Sequence, residues 1–73
     1  MMQDYKTSDA KEIGKIIKKT RKELGVTQRK LALTSGTGLR FIIELEQGKP
    51  TCQLEKALTV LRTLGLRFVI KGK

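Results

Sequence analysis

The stretch that decides the fold runs from Thr27 to Gly48 and reads TQRKLALTSGTGLRFIIELEQG. Its spacing predicts two short helices, over 28–35 and 38–47, that are joined by a tight turn at Gly36. Gly48 ends the second helix, because glycine readily adopts the left-handed conformation that other residues resist. Two helices joined by such a turn form a helix-turn-helix.

Four positions in this unit meet the steric needs of a helix-turn-helix whose first residue is Gln28. Ala32 is small where the two helices cross, and Gly36 permits the left-handed turn. Ile42 and Leu45 then supply two apolar anchors on the second helix. Because all four requirements are met at fixed spacing, the sequence predicts a mainly α domain built around this unit.

Thr27 and Thr37 stand immediately before the two helices and are predicted to cap them. A threonine hydroxyl at that position accepts a hydrogen bond from a backbone N–H that has no partner inside the helix. Ser35 and Thr37 also flank the turn, at positions where apolar side chains would pack better. These two polar residues depart from the usual pattern of the turn.

Helices are predicted on both sides of this unit. The first begins near Ser8 or Asp9 and ends at Gly25, and the fourth opens at Thr51 or Cys52. The apolar stripe of the fourth helix is predicted to consist of Leu54, Ala57, Leu58, Leu61 and Leu64.

The C-terminal run is the one strand candidate that we identify. Leu66, Phe68 and Ile70 alternate and would lie on one face of a strand. A lone strand leaves its backbone groups without partners, so we expect it to pair antiparallel with its copy in a homodimer. A frayed tail, or a strand completed by a different protein, is the alternative. The predicted organisation is a flexible arm over 1–7, a helix-turn-helix domain over 8–65, a dimerisation strand over 66–71 and a tail over 72–73.

The chain is strongly basic. Sixteen Lys and Arg against seven Asp and Glu give a net charge of +9, which suits a polyanion such as DNA, although a solubilising surface is the alternative. Lys18, Arg29 and Lys30 are the best candidates for contacts to DNA phosphates. Single-stranded RNA is less favoured, because one Tyr and two Phe offer few aromatic rings on which bases could stack. An anionic membrane surface is also less favoured, because the apolar stripe of the lysine-bearing first helix is needed for the core. No run approaches the length of a membrane span, and no signal peptide is visible.

No catalytic or metal-binding pattern is visible in the sequence. It contains no histidine, and its single cysteine, Cys52, has neither a disulfide partner nor a base. We therefore expect no enzyme activity, no metal and no cofactor. An unpaired cysteine is typical of the reducing cytoplasm.

Two motifs carry a resemblance to a known family. They are G-x-x-I-x-x-x-R-x-x-x-G-V-T-Q-x-x-L-A, from Gly14 to Ala32, and FIIELEQGKPT, from Phe41 to Thr51. Together they resemble the Xre/Cro family of bacterial repressors, and the pattern over about residues 8 to 71 is most similar to the HipB-type antitoxins. The resemblance implies a lambda-repressor-like four-helix domain that binds an inverted-repeat operator as a homodimer, in the cytoplasm and on the nucleoid. It also implies that the protein represses its own operon and binds a HipA-like kinase toxin.

The resemblance further implies which residues contact DNA, because family members use the start of the second helix and the first half of the third. Of the matching residues, those expected to read bases are Arg40, Leu39, Thr37, Gly38 and Gln28. Those expected to contact phosphates are Thr27, Arg29 and Phe41, together with Lys18 and Lys30.

Arg40 has the best chemistry for reading a base, because its fork can hold the O6 and N7 atoms of guanine. A phosphate contact is the alternative. Glu44 lies one turn further on and would orient Arg40 or accept a hydrogen bond from a cytosine N4. Leu39 can only touch a thymine methyl or pack inward. Ile43 would pack in the core, or contact the DNA edge or a dimer partner.

Arg21 and Glu46 occupy positions at which the family pairs an arginine of the first helix with the glutamate that closes the third. The resemblance therefore implies a structural ion pair. A second hypothesis is a protein-interaction module with the same fold and no specific operator. The low polarity of Gly38, Leu39, Phe41 and Ile43 keeps it open.

Overall fold

The structure, a computed structural model, describes residues 3–5, 10–50 and 53–68. The elements in chain order are strand β1 (Gln3–Tyr5), helices α1 (Ala10–Glu23), α2 (Gln28–Ser35), α3 (Leu39–Glu46) and α4 (Leu54–Thr63), and strand β2 (Leu66–Phe68). The predicted mainly helical fold with four helices is confirmed. The predicted start of the first helix at Ser8 or Asp9 falls outside the described residues.

Helix α1 lies unusually close to the C-terminal end of α3. A Cβ atom added at Gly14 would stand 2.6 Å from the carbonyl oxygen of Leu45 and 2.7 Å from that of Glu46. Real Cβ atoms do not approach backbone that closely, so only glycine fits at this crossing. Gly14 therefore brings the buried face of α1, with Ile17 and Arg21, against α3.

Helix α2 and the turn that follows it have the predicted geometry. The hydroxyl oxygen of Thr27 accepts a hydrogen bond from the backbone N–H of Lys30 at 3.0 Å, as expected of an N-cap. Gly36 has φ of 73°, which is the left-handed conformation that the turn requires. Leu31 and Ala32 are buried on the inner face of this helix.

The predicted cap of α3 is wrong. The helix begins at Leu39, its N-cap residue is Gly38, and no side chain makes a capping hydrogen bond. The hydroxyl of Thr37 instead lies 3.0 Å from that of Ser35, whose Oγ also donates to the carbonyl oxygen of Leu31 at 2.7 Å. The polar residues that flank the turn are thus accommodated by hydrogen bonds rather than by apolar packing.

The predictions for α4 are partly wrong. Its N-cap is Gln53, and Thr51 and Cys52 lie outside the described residues. Leu54 and Leu58 were expected in the core but are 66% and 38% exposed, whereas Val60 is fully buried. The side chains that face the core from α4 are Ala57, Val60, Leu61 and Leu64. Ala57, Leu61 and Leu64 were predicted correctly, but both sets of residues have helical spacing, so the pattern of leucines alone could not exclude Leu54 and Leu58 or include Val60.

The C-terminal strand is present, but its partner differs from the prediction. Strand β2 pairs in parallel with β1 of the same chain, with Gln3 opposite Leu66 and Tyr5 opposite Phe68. The expectation that the N-terminal arm lacks structure is therefore wrong over Gln3–Tyr5. The hydrogen bonds between two strands come from backbone groups, so a polar segment without alternating apolar residues can act as the partner of β2. Leu66 is buried in the core, while Ile70 and the predicted tail lie outside the described residues.

One apolar core joins all four helices to β2. Its buried members are Ile17, Leu31, Ala32, Ile42, Leu45, Val60, Leu61, Leu64 and Leu66. Within residues 3–5, 10–50 and 53–68, no helix is both long enough and apolar enough to cross a membrane. The core fixes α2 and α3 relative to each other, and this sets the geometry of the candidate site.

Candidate nucleic-acid interface

Helix α3 divides into a buried and an exposed face. Ile42, Leu45 and Glu46 are buried against the rest of the domain. On the opposite face the side chains of Arg40 and Glu44 are 91% and 40% exposed. The helix is thus anchored by its apolar side and presents a charged side outward.

The exposed face of α3 carries a small cluster of charges. The Nε of Arg40 donates to Oε2 of Glu44 at 3.3 Å. The Nζ of Lys49, just beyond the helix, lies 3.9 Å from the same oxygen. Of the two roles considered for Glu44, this geometry matches the one in which it orients Arg40.

The N-terminal end of α2 provides a second polar surface. Thr27 is exposed and caps the helix, and Arg29 and Lys30 are exposed beside it. The first N–H groups of a helix and its dipole favour an anion, and two adjacent cations add to that preference. This end of α2 has the chemistry of a phosphate contact.

Gln28 connects that surface to a buried ion pair. Its Nε2 donates to Oε1 of Glu46 at 2.9 Å. Glu46 also accepts from Nε of Arg21 at 2.6 Å, and Nη1 of Arg21 donates to the carbonyl oxygen of Val26 at 2.8 Å. Arg21 and Glu46 therefore form the ion pair that the resemblance implied. Because the side-chain amide of Gln28 donates to Glu46, its orientation is fixed by the fold, and one of its N–H groups is not available to a base.

The remaining base-reading candidates differ in what they can reach. Thr37 is half-buried, and its hydroxyl is bonded to Ser35. Gly38 is exposed but offers only its backbone. Leu39 is partly buried and packs against the core, which is the inward alternative considered for it. Arg40 is the charged member of the predicted set, and its side chain is 91% exposed.

Phe41 was expected to contact a phosphate, but its ring packs against the core. The Nζ of Lys56, near the start of α4, lies 5.9 Å from the centre of that ring, within the range of a cation–π contact. Lys56 therefore places a positive charge beside the first turn of α3. Sequence reasoning missed it, because a lysine fifteen residues after Phe41 has no local signal that links the two.

The remaining two candidates are Lys18 on α1 and Ile43 on α3. Lys18 is exposed on α1, the helix that buries Gly14, Ile17 and Arg21, and its contact with a phosphate stays a prediction. Ile43 is half-buried on α3. In the described part of the chain, no group of three or more acidic or cysteine residues lies close enough to hold a metal ion.

Comparison with known proteins agrees with this architecture. The model of the helix-turn-helix family matches residues 17–70. The chain is also similar to the uncharacterized HTH-type transcriptional regulator y4mF of Sinorhizobium fredii. The two are 52% identical over 54 residues, which cover 74% of this chain and 71% of the relative. The chain belongs to the helix-turn-helix family.

Proposed function

We propose that the chain is a sequence-specific DNA-binding transcriptional repressor. The observation that carries the proposal is the outward face of α3, where Arg40 projects with its side chain 91% exposed. The second helix of a helix-turn-helix enters the major groove, and arginine is the side chain that reads guanine there. Family membership and the relative named as a transcriptional regulator support the same function.

Two sets of contacts perform recognition in this proposal. Arg40 reads a base from α3, while the N-terminal end of α2 holds a phosphate with the help of Arg29 and Lys30. Lys56 adds a phosphate contact beside α3, next to the one predicted for Phe41. The net charge of +9 draws the protein to DNA and contributes affinity that does not depend on sequence.

The repressor acts as a homodimer on an inverted repeat. Two copies related by a two-fold axis place their α3 helices in successive turns of the major groove, about 34 Å apart. A domain of 73 residues also gains stability from a partner, because it buries a limited core. Since β1 already pairs with β2, the dimer is not required to complete the ladder. Sedimentation of the free protein, and the symmetry of its footprint on DNA, test this part of the proposal.

A narrower proposal rests on the resemblance to HipB-type antitoxins. In it, the chain represses its own operon, works on the nucleoid in the cytoplasm, and binds a HipA-like kinase toxin. Co-expression with a kinase encoded beside its gene tests this version. Co-purification in a fixed ratio supports it, and separate elution of the two proteins contradicts it without affecting the DNA-binding proposal.

The experiment that tests the function is binding to a duplex from the chain's own promoter, titrated beside a scrambled duplex at two salt concentrations. A preference for the promoter that survives the higher salt is expected, because base contacts lose less affinity to salt than phosphate contacts do. Equal binding that vanishes with salt contradicts the proposal. It favours the second candidate, a protein-interaction module, which is supported by the few polar groups at the start of α3, since Leu39 and Phe41 are apolar and pack against the core.

A further inference from the structure

The charged cluster on the exposed face of α3 has an unusual composition for a surface that binds DNA. Glu44 brings a carboxylate to that face, one turn after Arg40. Its Oε2 is 3.3 Å from Nε of Arg40 and 3.9 Å from Nζ of Lys49. A carboxylate that faces phosphates lowers affinity for every duplex, so its presence calls for a compensating role.

We propose that Glu44 is a specificity-determining residue that acts through Arg40. This inference rests on the proposed function. The carboxylate holds Nε of Arg40, and the end of the guanidinium fork formed by the two Nη groups is the part that can hold O6 and N7 of guanine. One arginine can therefore keep its bond to Glu44 and read a guanine at the same time.

The same arrangement penalises duplexes that lack the guanine. On such DNA, Arg40 gains most by turning to a phosphate, and that movement breaks its bond to Glu44. The carboxylate then faces the phosphates with Lys49 as its nearby cation, which costs affinity. Specificity arises here by opposing the wrong partner as well as by binding the right one.

The effect belongs to the complex more than to the free protein. In the free protein, an exposed ion pair four residues apart on a helix changes the ratio of paired to unpaired conformations by only about twofold, because water and salt screen the charges. Inside a groove from which water is excluded, the same charges interact more strongly. We therefore expect the loss of Glu44 to reduce the preference for the promoter by about three- to tenfold, a part of the discrimination that one arginine provides.

The test compares Glu44→Gln, Arg40→Ala and wild type on the promoter duplex, on the scrambled duplex, and on promoter duplexes with single base-pair changes. Glu23→Gln is the matched control, because it removes the same charge from an exposed position at the end of α1. We expect Glu44→Gln to bind the scrambled duplex more tightly and to tolerate changes at the same base pair that Arg40→Ala tolerates. Glu23→Gln should leave the preference unchanged.

Three results overturn the inference. In the first, Glu44→Gln keeps the wild-type preference for the promoter duplex. In the second, Glu44→Gln tolerates a change at a base pair where Arg40→Ala does not, which would mean that Glu44 reads a base directly. In the third, Glu23→Gln reduces the preference equally, so that overall charge is the cause. If the wild-type protein itself shows no preference for the promoter duplex, the proposed function fails and the inference fails with it. That outcome is distinguishable from the other three, in which the wild-type protein does show a preference.

Discussion

Two arginine–glutamate pairs lie on opposite faces of α3, one joining α3 to α1 and one within α3, and burial gives them different roles. In the inner pair, Arg21 and Glu46 are 2.6 Å apart and their side chains are 9% and 3% exposed. In the outer pair, Arg40 and Glu44 are 3.3 Å apart, with exposures of 91% and 40%. The inner ion pair therefore fixes the position of α3 in the fold, whereas the outer ion pair remains available to a ligand.

The inner pair is stable in its buried site because its polar atoms have further partners. Arg21 donates to the carbonyl oxygen of Val26, and Gln28 donates to Glu46. No buried side-chain nitrogen or oxygen among the described residues lacks a hydrogen-bond partner. The outer pair meets water instead, so its loss leaves nothing buried and unpaired.

The largest expected effect is the removal of one member of the inner pair. Glu46→Leu should lower the free energy of unfolding by about 3–5 kcal/mol, because Arg21 is left as a buried charge without its partner. Urea unfolding followed by circular dichroism measures the loss. Adding Arg21→Met should recover most of it, since an apolar pair needs no compensation. If Glu46→Leu unfolds within about 1 kcal/mol of wild type, the contrast between the two pairs does not hold.

The close crossing of α1 and α3 gives the next largest effect. Gly14→Ala should cost about 1–3 kcal/mol of unfolding free energy, because its methyl group would overlap the carbonyl oxygens of Leu45 and Glu46. Gly38→Ala is the control, since a Cβ there meets nothing within 4 Å and its φ of −90° suits any residue. Equal stability of the two variants would show that α1 can move away from α3 without cost.

Gln28 should have an intermediate effect, because it joins the inner pair to the surface. Gln28→Ala removes one hydrogen bond to a carboxylate that keeps Arg21 as its partner, and should cost about 0.5–1.5 kcal/mol of unfolding free energy. Arg29→Ala, its exposed neighbour, should change stability by less than about 0.5 kcal/mol. A Gln28→Ala variant as stable as Arg29→Ala would indicate that the hydrogen bond from Gln28 to Glu46 does not stabilise the fold.

The outer pair should have the smallest effect on stability and a large effect on DNA. Arg40→Ala should change the unfolding free energy by less than about 0.5 kcal/mol, because the side chain packs against nothing buried. Its preference for the promoter duplex should fall by roughly 10- to 100-fold. The two quantities are read from urea unfolding and from titration of labelled duplexes. An unchanged preference would remove Arg40 from the recognition surface.

Local rules predicted the helix-turn-helix because its determinants lie close together in the sequence. The Thr27 cap and the turn at Gly36 each depend on residues within four positions of one another. The inner pair came from the resemblance rather than from such rules, since twenty-five residues separate Arg21 from Glu46.

The features that sequence reasoning missed depend on tertiary placement. Strand β1 has no apolar alternation, and only its proximity to Leu66–Phe68 makes it a strand. The choice of Val60 over Leu58 for the core depends on how α4 is rotated against the other helices. Lys56 meets Phe41 through the packing of α4 beside α3.

The most direct test of DNA recognition by the outer face of α3 is a map of the backbone amide resonances that shift when the promoter duplex is added. We predict that the largest shifts fall over 28–30 and 39–44, and that the scrambled duplex does not reproduce those over 39–44. Shifts concentrated on the exposed lysines of α1, and identical for both duplexes, would contradict this prediction. That result would mean that the charge of the chain, and not the outer face of α3, accounts for its binding to DNA.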